Sequence, residues 1–306
     1  MAPSTAGHYR RIVRKVLIPA LGTVELTALR PQAIQALYGR LLRQGRHDGT
    51  GGLSAKTVLR YHQVLHAALH HAVRWQLLAR NPADAVQPPR AERRELLTLT
   101  PAAVSTLLAA ADETPIGTLA RVAVMTGMRR GELLGLRWRD VDPTAGLANI
   151  QQTALRLSGQ GWVFRQPKTR LSRRSVALSP VTVRLLSAHR KAQLEARMLA
   201  GSAWQDLDLV FTSALGTPLE PGTIARTWAR VLATAGVGHV RWHDLRHAHA
   251  TLMLSAGVHP KVVSERLGHA SVGITLDTYS HVLPGLQATA AELLDAVLVP
   301  VKAETA

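Results

Sequence analysis

At roughly 100–200 residues per domain, a chain of 306 residues has room for two cores, and 46% hydrophobic with 19% charged side chains excludes wholesale disorder. It has no cysteine, which excludes disulfides, thiolate catalysis and Cys-ligated zinc. Thirty-seven Lys and Arg against 20 Asp and Glu give a formal charge of +17, which predicts a polyanionic partner, nucleic acid ahead of an anionic membrane.

The charge is uneven: residues 1–94 hold 15 basic and 4 acidic side chains, net +11, and residues 95–306 hold 22 and 16, net +6. Thirty-one of the 37 cations are arginine, whose planar fork matches two phosphate oxygens at once. The opening MAPSTAGHYRRIV lacks the apolar core of a signal peptide, and no later run approaches the ~20 apolar residues of a membrane span. A soluble cytoplasmic protein is expected.

In chain order, Pro31 starts an amphipathic helix carrying Ile34, Leu37 and Leu41. After the glycine-rich loop RQGRHDGTGG, Ser54 caps a longer helix whose apolar stripe runs through Val58, Tyr61, Leu65, Ala68, Ala72 and Trp75 and which ends near Asn81-Pro82. His62, His66 and His70 recur every four residues on this helix and read as its polar, DNA-facing side. PADAVQPPRAERRELL, residues 82–97, combines three prolines with Arg90, Arg93 and Arg94 and reads as a basic connector. Thr100-Pro101 caps the first helix of a second core, with further helices near 118–125 and 130–138. Between Leu147 and Leu178, NIQQTALRL, GWVFRQ and RSVALS are short β-prone runs that predict one three-stranded antiparallel sheet. Helices resume from Pro180, around Ile224 to Ala235, and from Asp244 onward. No internal repeat is visible. The fold class is therefore mainly α with a small antiparallel β-sheet, in two domains.

Three stretches carry candidate chemistry. In TGMRRGELLGLRWRDVD, residues 126–142, Gly127 permits a tight turn at which Arg129 sits, ahead of an apolar helix beginning near Glu132. In VRWHDLRHAHATLML, residues 240–254, His243 and Arg246 are three apart and share a helix face. His243, His247 and His249 superficially offer three imidazoles to zinc, but 249 points away from the face shared by 243 and 247. The third stretch, LGHASVGITLDTYSH at 267–281, holds His269 and Tyr279; the other three tyrosines lie within the first 61 residues. No carboxylate cluster suits two-metal catalysis, and Asp206 and Asp208 read as a loop leading into a strand.

Taken together, R-x-x-E-L, H-x-x-R and L-G-H-x-S followed by T-x-x-Y-S-H, in that order and at these separations, resemble the tyrosine recombinase family, the phage-type integrases. The resemblance covers almost the whole chain. It implies a helical core-type DNA-binding domain over 1–90, a linker over 91–97 and a catalytic domain over 98–306 with a C-terminal docking segment. By position it makes Tyr279 the nucleophile, Arg129 and Arg246 the arginines that hold the scissile phosphate, His243 and His269 the two histidines, and Lys168 the lysine on the turn between the second and third strands. Glu132 matches the acidic residue that supports the arginine site, and its three-residue distance selects Arg129 over Arg130. The small domain that many integrases carry ahead of the core-binding region has no counterpart in these 306 residues.

What the resemblance implies is a site-specific DNA recombinase that cleaves and rejoins strands through a 3′-phosphotyrosyl link, with Lys168 protonating the leaving 5′-hydroxyl and His243 assisting proton removal from Tyr279. No metal and no cofactor is expected. The expected partner is double-stranded DNA, gripped by two domains as a C-shaped clamp and worked on by a homotetramer, with accessory DNA-bending or directionality proteins. GLQATAAELLDAVLVP, residues 285–300, with Leu286, Leu293, Leu294 and Val297, reads equally as a docking helix or an intramolecular packing helix. Two other classes share much of this sequence logic: a type IB-like DNA-relaxing enzyme and a catalytically silent DNA-binding regulator.

Overall fold

A computed structural model describes residues 3–46, 48–91, 99–157, 159–167 and 173–279, together with Ala291, Leu294, Asp295 and Leu298. Lys168 and nearly all of the 285–300 segment lie outside the described residues. The chain divides into two compact units, Met1–Glu95 and Leu96–Ala306. Among the described residues, no helix is long and apolar enough to cross a membrane.

The first unit is helical. Helix α1 (Pro3–Ile12) passes through a π-helical turn, Val13–Leu17, into α2 (Ile18–Leu21). Pro19 lacks an amide donor, so the regular ladder cannot continue there, and the Ile18 amide instead donates to Val13 O. Helix α3 (Pro31–Gln44) and α4 (Ala55–Arg74) supply most of the core: Ile34, Leu37, Tyr38 and Leu41 meet Val58, Leu65 and Leu69. The Ser54 side chain accepts from the Thr57 amide, which caps α4 as the sequence predicts.

Two readings of α4 need correction. Trp75 is 70% exposed, because the helix ends at Arg74 and Gln76 takes a positive φ of 61°; Leu69, not Ala68, carries the stripe between Leu65 and Ala72. The histidine row is also partly internal. His62 Nδ1 is 3.0 Å from the buried Tyr38 hydroxyl, and His66 Nε2 is 2.8 Å from the Asp84 carboxylate. Burying a phenol without a partner is costly, so His62 satisfies Tyr38.

In the second unit, helices α5 (Pro101–Asp112), α6 (Gly117–Thr126), α7 (Arg130–Gly135), α8 (Pro180–Ala200) and α9 (Pro221–Ala235) surround small sheets. Helices α10 (Asp244–Ser255), α11 (Pro260–Leu267) and α12 (Val272–Tyr279) complete it. Leu107, Leu119, Val122, Leu133, Ala148, Val176, Ile224, Trp228 and Leu245 form one continuous core.

The β-prone runs form two sheets rather than one. Strands β1 (Val141–Asp142), β2 (Leu147–Asn149) and β5 (Ser175–Ala177) pair antiparallel in the order β1-β2-β5, while β3 (Thr153–Leu157) and β4 (Gly161–Arg165) form a separate hairpin. The reason is burial. Ala148 faces Val176 across β2–β5 and both sit in the core, whereas every residue of β4 stays half-exposed. The β3 backbone packs directly under α7: a Cβ on Gly135 would lie 2.8 Å from Ala154 N, and one on Gly131 would lie 2.7 Å from Thr153 Cγ2. Helix α7, which begins just after Arg129, is thereby fixed to the sheet.

Candidate active site

Arg129 stands at the N-cap of α7, just after the turn at Gly127, whose φ of 64° is the left-handed conformation that ends α6. Glu132, in the first turn of α7, is 3% exposed and is the hub of the site. Its carboxylate accepts from the Arg129 amide and from Arg129 Nη1, each at 2.9 Å, and from Arg174 Nη1 and Nη2 at 3.2 and 2.9 Å. Burial pushes this carboxyl up, but the bonds and charge of Arg174, with those of Arg129, outweigh it and hold the group below the usual carboxylate range. Arg129 Nη2 reaches across to Gly268 O at 3.1 Å.

Arg246 lies on α10 and is buried. Its Nη1 donates to Gly127 O and its Nη2 to Leu267 O, both at 2.7 Å. The two receiving carbonyls sit at the C-terminal ends of α6 and α11, where backbone oxygens lack intrahelical donors. Among the described residues no carboxylate bonds Arg246 directly, and burial followed by the Arg129 charge pushes its guanidinium down to about 9. Arg129 and Arg174 both bond the Glu132 carboxylate, whose charge also supports the Arg246 guanidinium. Arg246 is a buried cation held by backbone carbonyls beside the cavity, and an anion entering there would offset its charge.

A second layer sets this cradle. His249 donates from Nδ1 to Val124 O at 2.7 Å, which leaves Nε2 to accept from Arg266 Nε at 3.2 Å. Arg266 Nη2 also donates to Met125 O at 2.9 Å, and Arg174 Nε to Arg266 O at 2.6 Å. These bonds tie α10 and α11 to the end of α6, where Gly127 O and Leu267 O must both meet Arg246. His249 is therefore structural. Among the described residues, no group of three or more His, Asp or Glu is placed to hold a metal ion.

Tyr279 ends α12 and is 1% exposed. Its ring belongs to an apolar cluster with Ala250, Leu254, Val263 and Leu267, drawn from α10 and α11. Tyr279 also lines a cavity of about 390 Å³ together with Arg129, His243, Arg246, His247, Gly268 and His269, among others. Burial pushes the phenol up to about 12, partly offset by Arg246. His269 Nδ1 is 2.8 Å from Thr275 Oγ1, and burial followed by Arg246 pushes its imidazole down to about 4.

Five expected residues, Arg129, His243, Arg246, His269 and Tyr279, therefore line one cavity, with Glu132 beneath it. One expectation meets a different arrangement. The phenolic oxygen of Tyr279 is 2.7 Å from Nδ1 of His247, so the hydrogen-bond partner of Tyr279 is His247 and not His243. His243 stands at the N-cap of α10, one helical turn earlier, with its ring edge-on to that of His247 at 5.1 Å. Arg174, Arg266 and His247 carry much of the site and were not singled out by the motifs. The i, i+4 spacing of His243 and His247 was the available signal for the last of them.

A pocket that converges two guanidiniums, three imidazoles and a phenol within a helical unit defines an anion-binding site equipped with a potential covalent nucleophile. The comparisons with known proteins agree with that class. A model of the phage integrase family matches residues 98–285. A tyrosine recombinase XerC-like protein of Caldanaerobacter subterraneus is 30% identical over 94% of this chain and 76% of its own length. The ICEBs1 integrase of Bacillus subtilis is 30% identical over 83% of the chain and 69% of its own length. Among solved structures, the Tn1549 transposon integrase in complex with a circular intermediate DNA superposes with a TM-score of 0.79 at 20% identity, covering 96% of this chain and 94% of its own. Lambda integrase, as a tetramer bound to a Holliday junction, gives 0.62 at 18% identity over 91% of this chain and 72% of its own. The chain belongs to the phage integrase family of tyrosine recombinases, enzymes of site-specific recombination.

Proposed function

We propose that this protein cleaves and rejoins double-stranded DNA at specific sites through a covalent 3′-phosphotyrosyl intermediate on Tyr279, without metal or ATP. The observation that carries the proposal is the convergence of Arg129, Arg246 and Tyr279 on one cavity, beside which the Arg246 guanidinium is buried against backbone carbonyls.

In this reading the two guanidiniums bind the non-bridging oxygens of the scissile phosphate and stabilise the charge that builds as phosphorus becomes five-coordinate. Neutral His243 and His269 add hydrogen bonds to the same oxygens. Glu132 aims Arg129 and does not touch the phosphate. Tyr279 Oη forms its bond to phosphorus, the bond from phosphorus to the 5′ oxygen breaks, and Lys168 gives that oxygen a proton. The phosphotyrosyl ester conserves the energy of the phosphodiester, so an incoming 5′-hydroxyl can reverse the chemistry and join a new strand.

The first unit, in this reading, is the core-type DNA-binding domain. It contains a concavity of about 1210 Å³ into which Arg11, Lys15, Arg40, Arg46, Lys56 and Arg60 project. Such a surface suits a phosphate backbone and predicts salt-dependent affinity. The DNA-bound states of the Tn1549 and lambda integrases support duplex DNA as the partner and a tetramer as the working assembly. The test is a nicked suicide substrate with a second site in the same reaction. Wild type forms a covalent adduct and exchanges strands between sites, and Tyr279→Phe binds but forms none. Adduct formation by Tyr279→Phe would overturn the proposal; relaxation without any two-site product would move the protein to the DNA-relaxing class.

A further inference from the structure

We propose that His247 is a catalytic residue of this site, the group that takes the phenolic proton of Tyr279 as its oxygen attacks phosphorus. The inference rests on Tyr279 being the nucleophile and adds to that reading where the proton goes.

The geometry is direct. His247 Nδ1 and Tyr279 Oη are 2.7 Å apart, within the range a proton-transferring pair requires, and both residues line the same cavity as Arg129 and Arg246. The helix pairing enforces the contact. Tyr279 is anchored by its ring among Leu254, Val263 and Leu267, and its hydroxyl meets His247 on α10. For Nδ1 to accept, His247 carries its own proton on Nε2.

The charged and titratable surroundings make the transfer conditional on substrate. In the free protein, burial and then the neighbouring His243, together with Arg246 and Arg241, push the His247 imidazole down to about 4, while Asp244 opposes them. Among the described residues, Tyr279 on α12, His269 on the turn before it and Arg129 at the start of α7 also line the pocket. In this state the phenol keeps its proton and the nucleophile is held neutral. A phosphodiester seated between Arg129 and Arg246 brings negative charge that offsets those cations, which raises the basicity of His247 as the electrophile arrives.

The step balances. The Oη–phosphorus bond forms, the Oη–H pair is left on oxygen, the proton moves to His247 Nδ1, and the 5′ oxygen departs with a proton of its own. On rejoining, the incoming 5′-hydroxyl attacks phosphorus and gives its proton back to Lys168, the phosphorus–Oη bond breaks, and the imidazolium of His247 returns its proton to Oη.

The experiment is single-turnover adduct formation by the full chain on a nicked suicide DNA, comparing wild type with His247→Asn, His247→Gln, His247→Ala and Tyr279→Phe. Asparagine keeps an acceptor near the Nδ1 position and glutamine keeps a polar amide, but neither can hold the proton. Each therefore slows adduct formation by roughly 10²–10⁴-fold while DNA affinity stays within about threefold. Added imidazole restores part of the rate in His247→Ala. A role confined to orienting the phenol predicts instead that the amide variants cleave like wild type, and a folded His247→Asn or His247→Gln within about threefold of the wild-type rate overturns the inference. Reading two amide variants lets one folded protein decide. Adduct formation by Tyr279→Phe is a different failure, because it would remove the nucleophile assignment itself.

Discussion

Replacing Glu132 with Gln tests whether the arginine site is held as described. The wild-type carboxylate bonds Arg174 twice, at 3.2 and 2.9 Å, and Arg129 through both its amide and its guanidinium. Removing one partner of a buried ion pair costs roughly 3–5 kcal/mol, because the other charge stays buried. The Arg129 guanidinium is 39% exposed and recovers solvation, so its share is discounted to at most about 1 kcal/mol. Arg174 is 7% exposed at its side chain and carries most of the loss. The expected destabilisation is about 3 kcal/mol, a large part of the ~5–15 kcal/mol that holds a domain together.

Urea unfolding followed by tryptophan emission reads this well, since every tryptophan except Trp75 lies in the second unit. A cycle with Arg174→Gln should give a coupling energy above about 1 kcal/mol. The pH dependence has a definite sign. The Glu132 carboxyl is held below its unfolded value, so its contribution is present above roughly pH 4.3 and is lost as pH falls through the folded value. Glu132→Gln should lack that loss. A destabilisation below about 1 kcal/mol at neutral pH, with adduct formation unchanged, would refute the hub role of this carboxylate.

Three further outcomes follow from the same geometry. Gly127→Ala would place a Cβ 2.5 Å from His249 Cδ2 and 2.7 Å from Leu267 Cδ2, at a φ of 64°, and should cost about 2–4 kcal/mol; an unchanged thermal melt would contradict it. Burial and then Arg266 push His249 down to about 4, so between pH 6.5 and 4 the unfolded chain binds more protons and stability falls on acidification. His249 alone should contribute on the order of 2 kcal/mol to that loss at pH 5, and His249→Gln should flatten the urea midpoint across the window. Arg60→Ala, in the first-unit concavity, should weaken DNA binding on all sequences and reduce the salt slope by about 1, and a sequence-selective loss would argue against a phosphate contact.

The site was legible in sequence where local pattern and chemistry coincide. Arg129 beside a turn glycine, His243 with Arg246 on one helix, and Tyr279 after Leu267-Gly268-His269 could each be placed without coordinates. What escaped depends on contacts between segments far apart in the chain. Nothing local distinguishes Arg174 from Arg173; only the fold sends the first to Glu132, while the second bonds the exposed Gln166. The partner of Tyr279 could not be read from spacing, since it is the packing of the Tyr279 ring against Leu254 of α10 and Val263 and Leu267 of α11 that brings α12 to His247. The sheets failed for the same reason. The β-prone runs were visible, but whether β5 joins β2 or β4 depends on which strand presents a residue to the core, and Ala148 with Val176 decides it. Trp75 looked like the last member of a stripe because periodicity does not reveal that α4 ends one residue earlier.

The central claim is that the Tyr279 oxygen becomes bonded to DNA phosphorus. Its most direct measurement is proteolysis of the adduct trapped on a nicked suicide substrate, followed by mass spectrometry of the nucleotide-bearing peptide. The account predicts a single modified peptide with a 3′-phosphate ester on Tyr279. A modification mapped to Tyr9, Tyr38, Tyr61 or a serine, or cleavage with no protein attached to the 3′ end, would contradict it.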